Sequence, residues 1–369
     1  MKYILYLLNL CAVAGLLASY ISGYVSPEKF WILAFFGIAY PILLIINVLF
    51  VIFWLLTWKR FIFVSLIAIV AGYNSLFAIY PIRLSKPAVS QSPEIKIVSF
   101  NIHSLYGTKT ANNKQETKSR VTGFLAGQNA DIICIQEFYA IGEDFSQILS
   151  KFSGSIHLDH YTFKNYREFD NKKKINAIAT FSRFPIVNSG YLRLPERGHF
   201  AIFSDMVING DTIRVYNLHL ESIRFGNDDY SFYTKLTEAD KEATTIHEGS
   251  KRMLWKLRKA FIIRSKQVNL LTEHIDACTY PVILSGDFND TPSSYTHHQL
   301  TKRLTDSYIE CGQGLFRSTY AGTFPSFRID YVLHSDKFKA ISYETFEIDL
   351  SDHYPISAIL VKTPQIQSP

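Results

Sequence analysis

Residues Pro281–Asp290 read PVILSGDFND, and this stretch decides the fold. The apolar residues Val282, Ile283 and Leu284 make a short β-type run, which stops abruptly at Asp287, Asn289 and Asp290. Strand ends are rigid platforms on which sites are built. A carboxylate at such an end costs desolvation unless it is paired or metal-bound.

The same arrangement recurs outward in both directions. IKIVSFN (Ile95–Asn101) ends in Asn101, and DIICIQE (Asp131–Glu137) ends in Glu137. RVYNLHL carries Asn217 and His219, RIDYVLHS holds Asp330 within a strand, and SDHYPISAIL sets Asp352 and His353 just before the last strand. Singly, an Asn or Asp after a strand is an ordinary turn residue, and a lone strand His is an ordinary structural residue. Glu137 resists that reading, because turns prefer Asp and Asn. Six such stretches together point to one polar site.

The remaining pattern gives the class. Further strands are expected at Asn176–Phe181 and Ile356–Val361, and Phe200–Ile208 and Thr212–Leu220 flank NGD, a hairpin turn signal. A helix is expected over Lys251–Asp276. Strands in both hairpin and crossover contexts imply an α/β sandwich with mixed sheets. No internal repeat or low-complexity tract interrupts it. Carboxylate and amide oxygens, with few nitrogens and no thiolates, suit a hard cation: Mg²⁺ first, Mn²⁺ or Ca²⁺ as alternatives. Such an ion neutralises phosphate oxygens.

The chain has 369 residues, 48% of them hydrophobic, and the apolar ones crowd into the first eighty. Tyr3–Tyr20, Phe30–Trp58 and Phe61–Tyr80 contain no charged residue. Each approaches or exceeds the roughly 20 apolar residues that a spanning helix needs. Three transmembrane helices are therefore expected over 1–80, the second tilted or kinked at Pro41. The first reads as uncleaved, since its apolar run outlasts a signal peptide's and YISGYVSPEKF is a poor cleavage site. Lys2, Lys59 and Arg60 against Arg83 and Lys86 place the N-terminus inside and the large domain outside. The formal charge of +6 separates few functions, because any anionic phosphoester suits a basic surface. The four cysteines form neither a CxxC motif nor a dense disulfide framework. Residues 81–94 form a Pro-rich linker, leaving 95–362 as the catalytic domain.

From Ile95 to Val361, in motif order, the chain resembles the endonuclease/exonuclease/phosphatase superfamily, and within it bacterial membrane-anchored members; GDFND and SDH carry the likeness, supported by NLHL and RIDYVL. The resemblance implies a deoxyribonuclease-like four-layer αββα sandwich behind the three transmembrane helices, with the site at one edge of two sheets. It implies Asn101, Glu137 and Asp352 on the metal side, with Glu137 the main ligand. His219 would contact phosphate, Asp287 would orient or deprotonate the attacking water, and Asn289 would hold phosphate or the transition state. Asp330 would orient His353, which would hydrogen-bond the scissile phosphate or act as acid/base.

The function expected is therefore Mg²⁺-dependent hydrolysis of a phosphoester, in the first instance a phosphodiester, by a multi-pass protein of the bacterial inner membrane. The substrate stays open among nucleic acid, lipid and sugar phosphate, with nuclease and sphingomyelinase- or phospholipase-like activities as the rivals. Anchoring favours a lipid. The alternative outside the enzymes is an inactive anchored binding domain, against which stands the intact residue set. Arg183, Asn176, the loop aromatics Tyr230, Phe232 and Tyr233, and seven cations over Lys251–Lys266 are each open between a site role and a structural one.

Overall fold

The structure is a computed structural model. It describes the chain apart from residues 1, 58, 82–92, 106–112, 142–144, 167–173, 197–199, 227, 233–242, 313–316, 323–326 and 364–369. Most of the expected linker, and Tyr233, lie outside the described residues.

Twelve strands form two sheets among the described residues. The first comprises β1 (Glu94–Asn101), β2 (Ile132–Ile141), β3 (His160–Asn165), β4 (Lys174–Ser182), β11 (Phe338–Thr345) and β12 (Ile356–Lys362), in the order β11-β12-β1-β2-β4-β3. The second comprises β5 (Ile186–Arg193), β6 (Phe200–Ile208), β7 (Asp211–His219), β8 (Val282–Asp287), β9 (Thr305–Asp306) and β10 (Asp330–His334), in the order β5-β6-β7-β8-β10-β9. The hairpin expected at NGD joins β6 to β7, with Asn209 and Gly210 both at positive φ as a tight primed turn requires. Only β1–β2 and β7–β8 pair in parallel. Their crossovers contain α7 (Lys114–Gly127) and α9 (Ala243–Asp276); α8 (Phe145–Ser155) follows β2.

Three apolar cores separate four layers. Between the sheets lie Ile97, Cys134, Val215, Ile283, Val332 and Ile356. Val98, Phe100, Val121, Ile133 and Phe152 join the first sheet to α7 and α8, and Tyr216, Leu218, Val268, Leu271 and Leu284 join the second to α9. This is the expected αββα sandwich. Cys134, buried in the central core, has its thiol pushed up to about 12 by burial.

The N-terminal expectation is met in part. α1 (Lys2–Ile21) is long and apolar enough to cross a membrane. After the short α2 (Pro27–Phe30), the second stretch divides into α3 (Ile32–Ile38) and α4 (Tyr40–Leu56), bent by 66° at Ala39, with Pro41 in the first turn of α4. The third divides into α5 (Ile62–Ala71) and α6 (Tyr73–Ile79), bent by 65° at Gly72. The second stretch, expected to tilt or kink at Pro41, breaks two residues before that proline, whereas the third, expected as one helix, breaks at Gly72. The bundle buries Leu16, Tyr40, Leu44 and Ala68. A buried polar chain ties α1, α4 and α5: Trp54 Nε1 donates to Asn9 Oδ1 (2.9 Å), Asn9 Nδ2 to Ser65 Oγ (2.6 Å), and Ser65 Oγ to Asn47 Oδ1 (2.9 Å).

This bundle is seated on the sandwich. Ser22 Oγ donates to Ser293 O (2.8 Å), Tyr24 packs on His298, Phe35 on Phe261, and the Arg258 guanidinium lies over Trp31. Gly37 permits the approach, since a Cβ there would come within 2.5 Å of Ser22 Oγ and 3.2 Å of Ser293 O.

Candidate active site

Side chains alternate across a strand, so residues two apart share a face. On β1, Ile95 and Ile97 enter the inter-sheet core, and the same parity delivers Asn101. On β7, Ile213 and Val215 lead to Asn217 and His219; on β8, Ile283 leads to Ser285 and Asp287; on β10, Val332 shares its face with Asp330. The apolar inter-sheet core thus turns polar at one end. That end holds the C-termini of both parallel strand pairs, the usual location of ligand crevices in α/β sheets.

Glu137 breaks the alternation. Ile133 and Ile135 face the outer helices, so Glu137 would follow them. The β2–β4 register shifts between Ile135 and Phe138, and Glu137 itself has φ of 53°. This bulge keeps Phe138 and Ala140 in the outer core and turns Glu137 toward the cleft. Gly286 answers a second backbone demand: its φ is 142°, and a Cβ there would meet Leu218 O at 2.1 Å.

Asp287 is the hub. Its Oδ2 accepts from Asn101 Nδ2 (3.0 Å) and Asn289 Nδ2 (3.1 Å), and its Oδ1 from the Asn289 amide (2.8 Å). His219 Nε2 and His353 Nε2 stand 3.6 and 3.8 Å from the same Oδ2. Burial raises the Asp287 pKa above the usual carboxylate range; Asp330 adds to this, while both imidazoles and Asn101 oppose it. His353 Nδ1 lies 3.0 Å from Asp330 Oδ2. Burial alone would lower the His353 pKa, but Asp330 and Asp287 outweigh it and hold it well above the usual imidazole range. Asp287, Asp330 and His353 each place a ligand atom within 4.8 Å of the others. With His353 charged, as the two carboxylates favour, its imidazolium would repel a cation rather than help to hold one.

The oxygen-rich side lies opposite. The Glu137 side chain is 25% exposed and that of Asp352 29%, and both line the cleft with Asn101. Glu137 Oε2 accepts from Ser104 Oγ (3.0 Å), and Asp352 Oδ1 lies 3.3 Å from His103 Nδ1. Two half-open carboxylates beside an amide oxygen fit a hard divalent cation.

All eight residues expected at the site therefore gather at this strand-end region. Asn217 does not face the cleft with them: it clamps the sheets, donating to Ala179 O (2.8 Å) and accepting from Gln136 Nε2 (2.7 Å). Asn176 supports the site indirectly, donating to Ser104 Oγ (3.0 Å). Arg183 pairs with Asp131 at the far end of β2 (2.9 Å). Asp290 is held by buried Arg264 (3.0 Å), so that cation of the long helix is not solvated. Tyr230 lines the cleft and meets Tyr320 OH (3.4 Å), whereas Phe232 is buried against Gly249.

Tyr166 and Tyr320 escaped the sequence reading. The Glu137 amide donates to Tyr166 OH (3.4 Å), which lies 3.1 Å from His219 Nδ1. In the tautomer with hydrogen on Nε2, the phenol donates to Nδ1 and the Nε2 hydrogen is directed toward Asp287. Tyr320 stacks edge-on against His353. Neither tyrosine ends an apolar run, so no local signal marks them.

The family model described as Endonuclease/Exonuclease/phosphatase family matches residues 98–353, which contain this constellation. The chain belongs to that family. Its members are phosphoester hydrolases and generally depend on a divalent metal. A second model, Domain of unknown function (DUF8431), matches residues 2–79. No curated protein matches the chain. Among solved structures, a family member from Beutenbergia cavernae is 16% identical with a TM-score of 0.52, over 73% of this chain and 72% of that one. One from Bacteroides vulgatus is 19% identical, TM-score 0.51, over 73% and 100%. The human nocturnin catalytic domain, solved with bound sulfate, is 18% identical, TM-score 0.52, over 74% and 97%. At these identities the likeness is one of fold.

Proposed function

We propose that this protein is a membrane-anchored, divalent-metal-dependent phosphoester hydrolase, acting on a phosphodiester by in-line attack of water at phosphorus. The observation that carries the reading is Asp287: a buried carboxylate ringed by two imidazoles and two amides, facing half-open Glu137 and Asp352 across one cleft. Its raised pKa makes it a better base than a surface carboxylate. Water loses a proton to Asp287 as its oxygen bonds to phosphorus, and the bond from phosphorus to the leaving oxygen breaks. His353, held protonated by Asp330, gives the leaving oxygen a proton; solvent restores both groups. His219 presents an N–H donor to the phosphate oxygens, and Asn289, whose amide hydrogens go to Asp287 and Leu220 O, orients the Asp287 carboxylate. A cation at Glu137, Asp352 and Asn101, Mg²⁺ first and Mn²⁺ as the alternative, would supply charge neutralisation at phosphate.

The reading extends to place. α1 is one span, and the bent pairs α3–α4 and α5–α6 are two more, anchoring residues 1–80 in a bacterial inner membrane with the domain from 95 to 362 on the extracytoplasmic side. The test is hydrolysis by the full chain of a panel of phospholipid, nucleic acid and sugar phosphate, with Mg²⁺ and with chelator. Metal-dependent release from at least one class is expected. No release from any, or release indifferent to chelator, removes the assignment.

A further inference from the structure

The cleft has two unlike halves. Its floor is the polar set around Asp287, and its volume is about 480 Å³. Its wall is apolar, and part of that wall comes from outside the sandwich: Ile38, Ala39 and Ile42 stand at the α3–α4 break, facing Phe225, Met253 and Leu257. Ile42 is 63% exposed, so its side chain is not spent on holding bundle to sandwich.

The wall is continuous with the surface most suited to lipid. From Ile42, the exposed residues Ile45, Leu49 and Ile52 continue along α4. On α9, Leu254 (52% exposed) and Trp255 (59% exposed) lie on faces turned away from the cleft-lining Met253 and Leu257. An exposed Leu–Trp pair beside Arg258 and Lys259 has the make-up of an interfacial anchor. A water-soluble sugar phosphate or a nucleic acid strand gains nothing from such a wall, and the cations of α9 nearest to it are engaged elsewhere: Lys256 and Arg252 on Asp229, Arg264 on Asp290.

Resting on the hydrolase reading above, we propose that the substrate is an amphiphilic phosphoester resident in the bilayer. Its phosphate sits at the Asp287 floor, and its apolar chain lies along Ile38, Ile42 and Leu257 and leaves the cleft toward α4. The N-terminal bundle is then a substrate-binding wall as well as an anchor.

The test uses the full chain in nanodiscs with Mg²⁺ and two diesters, ethyl and octyl 4-nitrophenyl phosphate. Water attack at phosphorus releases 4-nitrophenolate from either. Each buried methylene changes affinity by about fourfold, the equivalent of about 0.8 kcal/mol. In wild type kcat/KM is expected to favour octyl over ethyl by at least tenfold. Because partition into the bilayer also favours octyl, the deciding number is the change in that ratio in I38S/I42S and, separately, in Leu257→Ser. A fall of at least fivefold in either, with an unchanged thermal melt, supports the proposal; an unchanged ratio in both overturns it. Binding of ethyl- and octylphosphonate, followed by calorimetry in the same proteins, reads the wall without turnover. Octyl-selective binding lost in the variants, with neither diester cleaved, would remove the hydrolase reading and keep the wall. Cleavage of both diesters at one ratio in every variant would do the reverse.

Discussion

The two sheets end at the same cleft, yet they present opposite chemistry. The first offers Asn101 and, through the bulge, Glu137, with Asp352 from the loop before β12; its carboxylates are half-open and hydrogen-bonded on one side. The second offers His219, Asp287 and Asp330, all buried, and half-buried Asn289, bonded mostly to one another. His353 arrives from the first sheet's loop but bonds to the second sheet's Asp330. On the proposed reading, the difference shows how one cleft would handle two tasks. Open oxygens suit an exchangeable hard cation, whereas burial raises the Asp287 pKa and the flanking carboxylates raise that of His353, favouring a stronger base beside a charged imidazole.

That contrast can be broken at its deepest point first. Asp287→Ala removes the hub of the buried set, and kcat is expected to fall by at least about 10³-fold, at the scale of a lost general base. Circular dichroism and thermal melts should show the fold retained, and a variant with wild-type turnover would end the division of labour. The next test asks whether a buried charge in the second sheet must be catalytic. Asp306 in β9 contacts Arg328 Nη1 (2.7 Å) and His297 Nε2 (2.9 Å), outside the cleft. Burial opposes its ionisation, but Arg328 and His297 outweigh this and hold its pKa down to about 2. Against roughly 3.9 in the unfolded chain, the ionised form is worth about 2 to 3 kcal/mol to the fold. A folded pKa below the unfolded one means that this stability is present above pH of about 4 and is lost as pH falls toward 2. Denaturant unfolding at a series of acid pH values should show that slope in wild type and a flatter one in Asp306→Asn. The smallest effect is expected on the open side. Glu137→Gln should raise the Mg²⁺ concentration for half-maximal activity by about tenfold or more, at the scale of losing one metal-site interaction. Equal Mg²⁺ titrations in wild type and variant would move the cation elsewhere.

Much of this was legible in the chain. Central strands are apolar on both faces, so a polar residue ending one stands out; Asn101, Asp287 and Asp330 were readable for that reason. Edge strands have no such contrast. β5 is largely exposed and β3 only half-buried, and with β11 they went unread. Tyr166 follows edge strand β3, where no pattern isolates it. Arg264 looked like one cation among seven, because its burial depends on the distant Asp290. The wall formed by the α3–α4 break was unreadable for the same reason: spacing along a chain carries no record of which distant surface a helix meets.

The bulge at Gln136–Glu137 works like a change of reading frame. Upstream of it odd-numbered residues of β2 face the helices, and downstream even-numbered ones do. Removing one residue there would restore a single frame. Phe138 and Ala140 would keep their places in the outer core, and only one residue would be left between Ile135 and Phe138 to face inward. The extra residue therefore gives this one strand two consecutive inward side chains: Gln136, which bonds Asn217 between the sheets, and Glu137, which reaches the cleft. A conservative replacement of Glu137 changes only the ligand, but a one-residue deletion beside it would leave the packing behind the strand and force the sheet clamp and the cleft carboxylate to share one position.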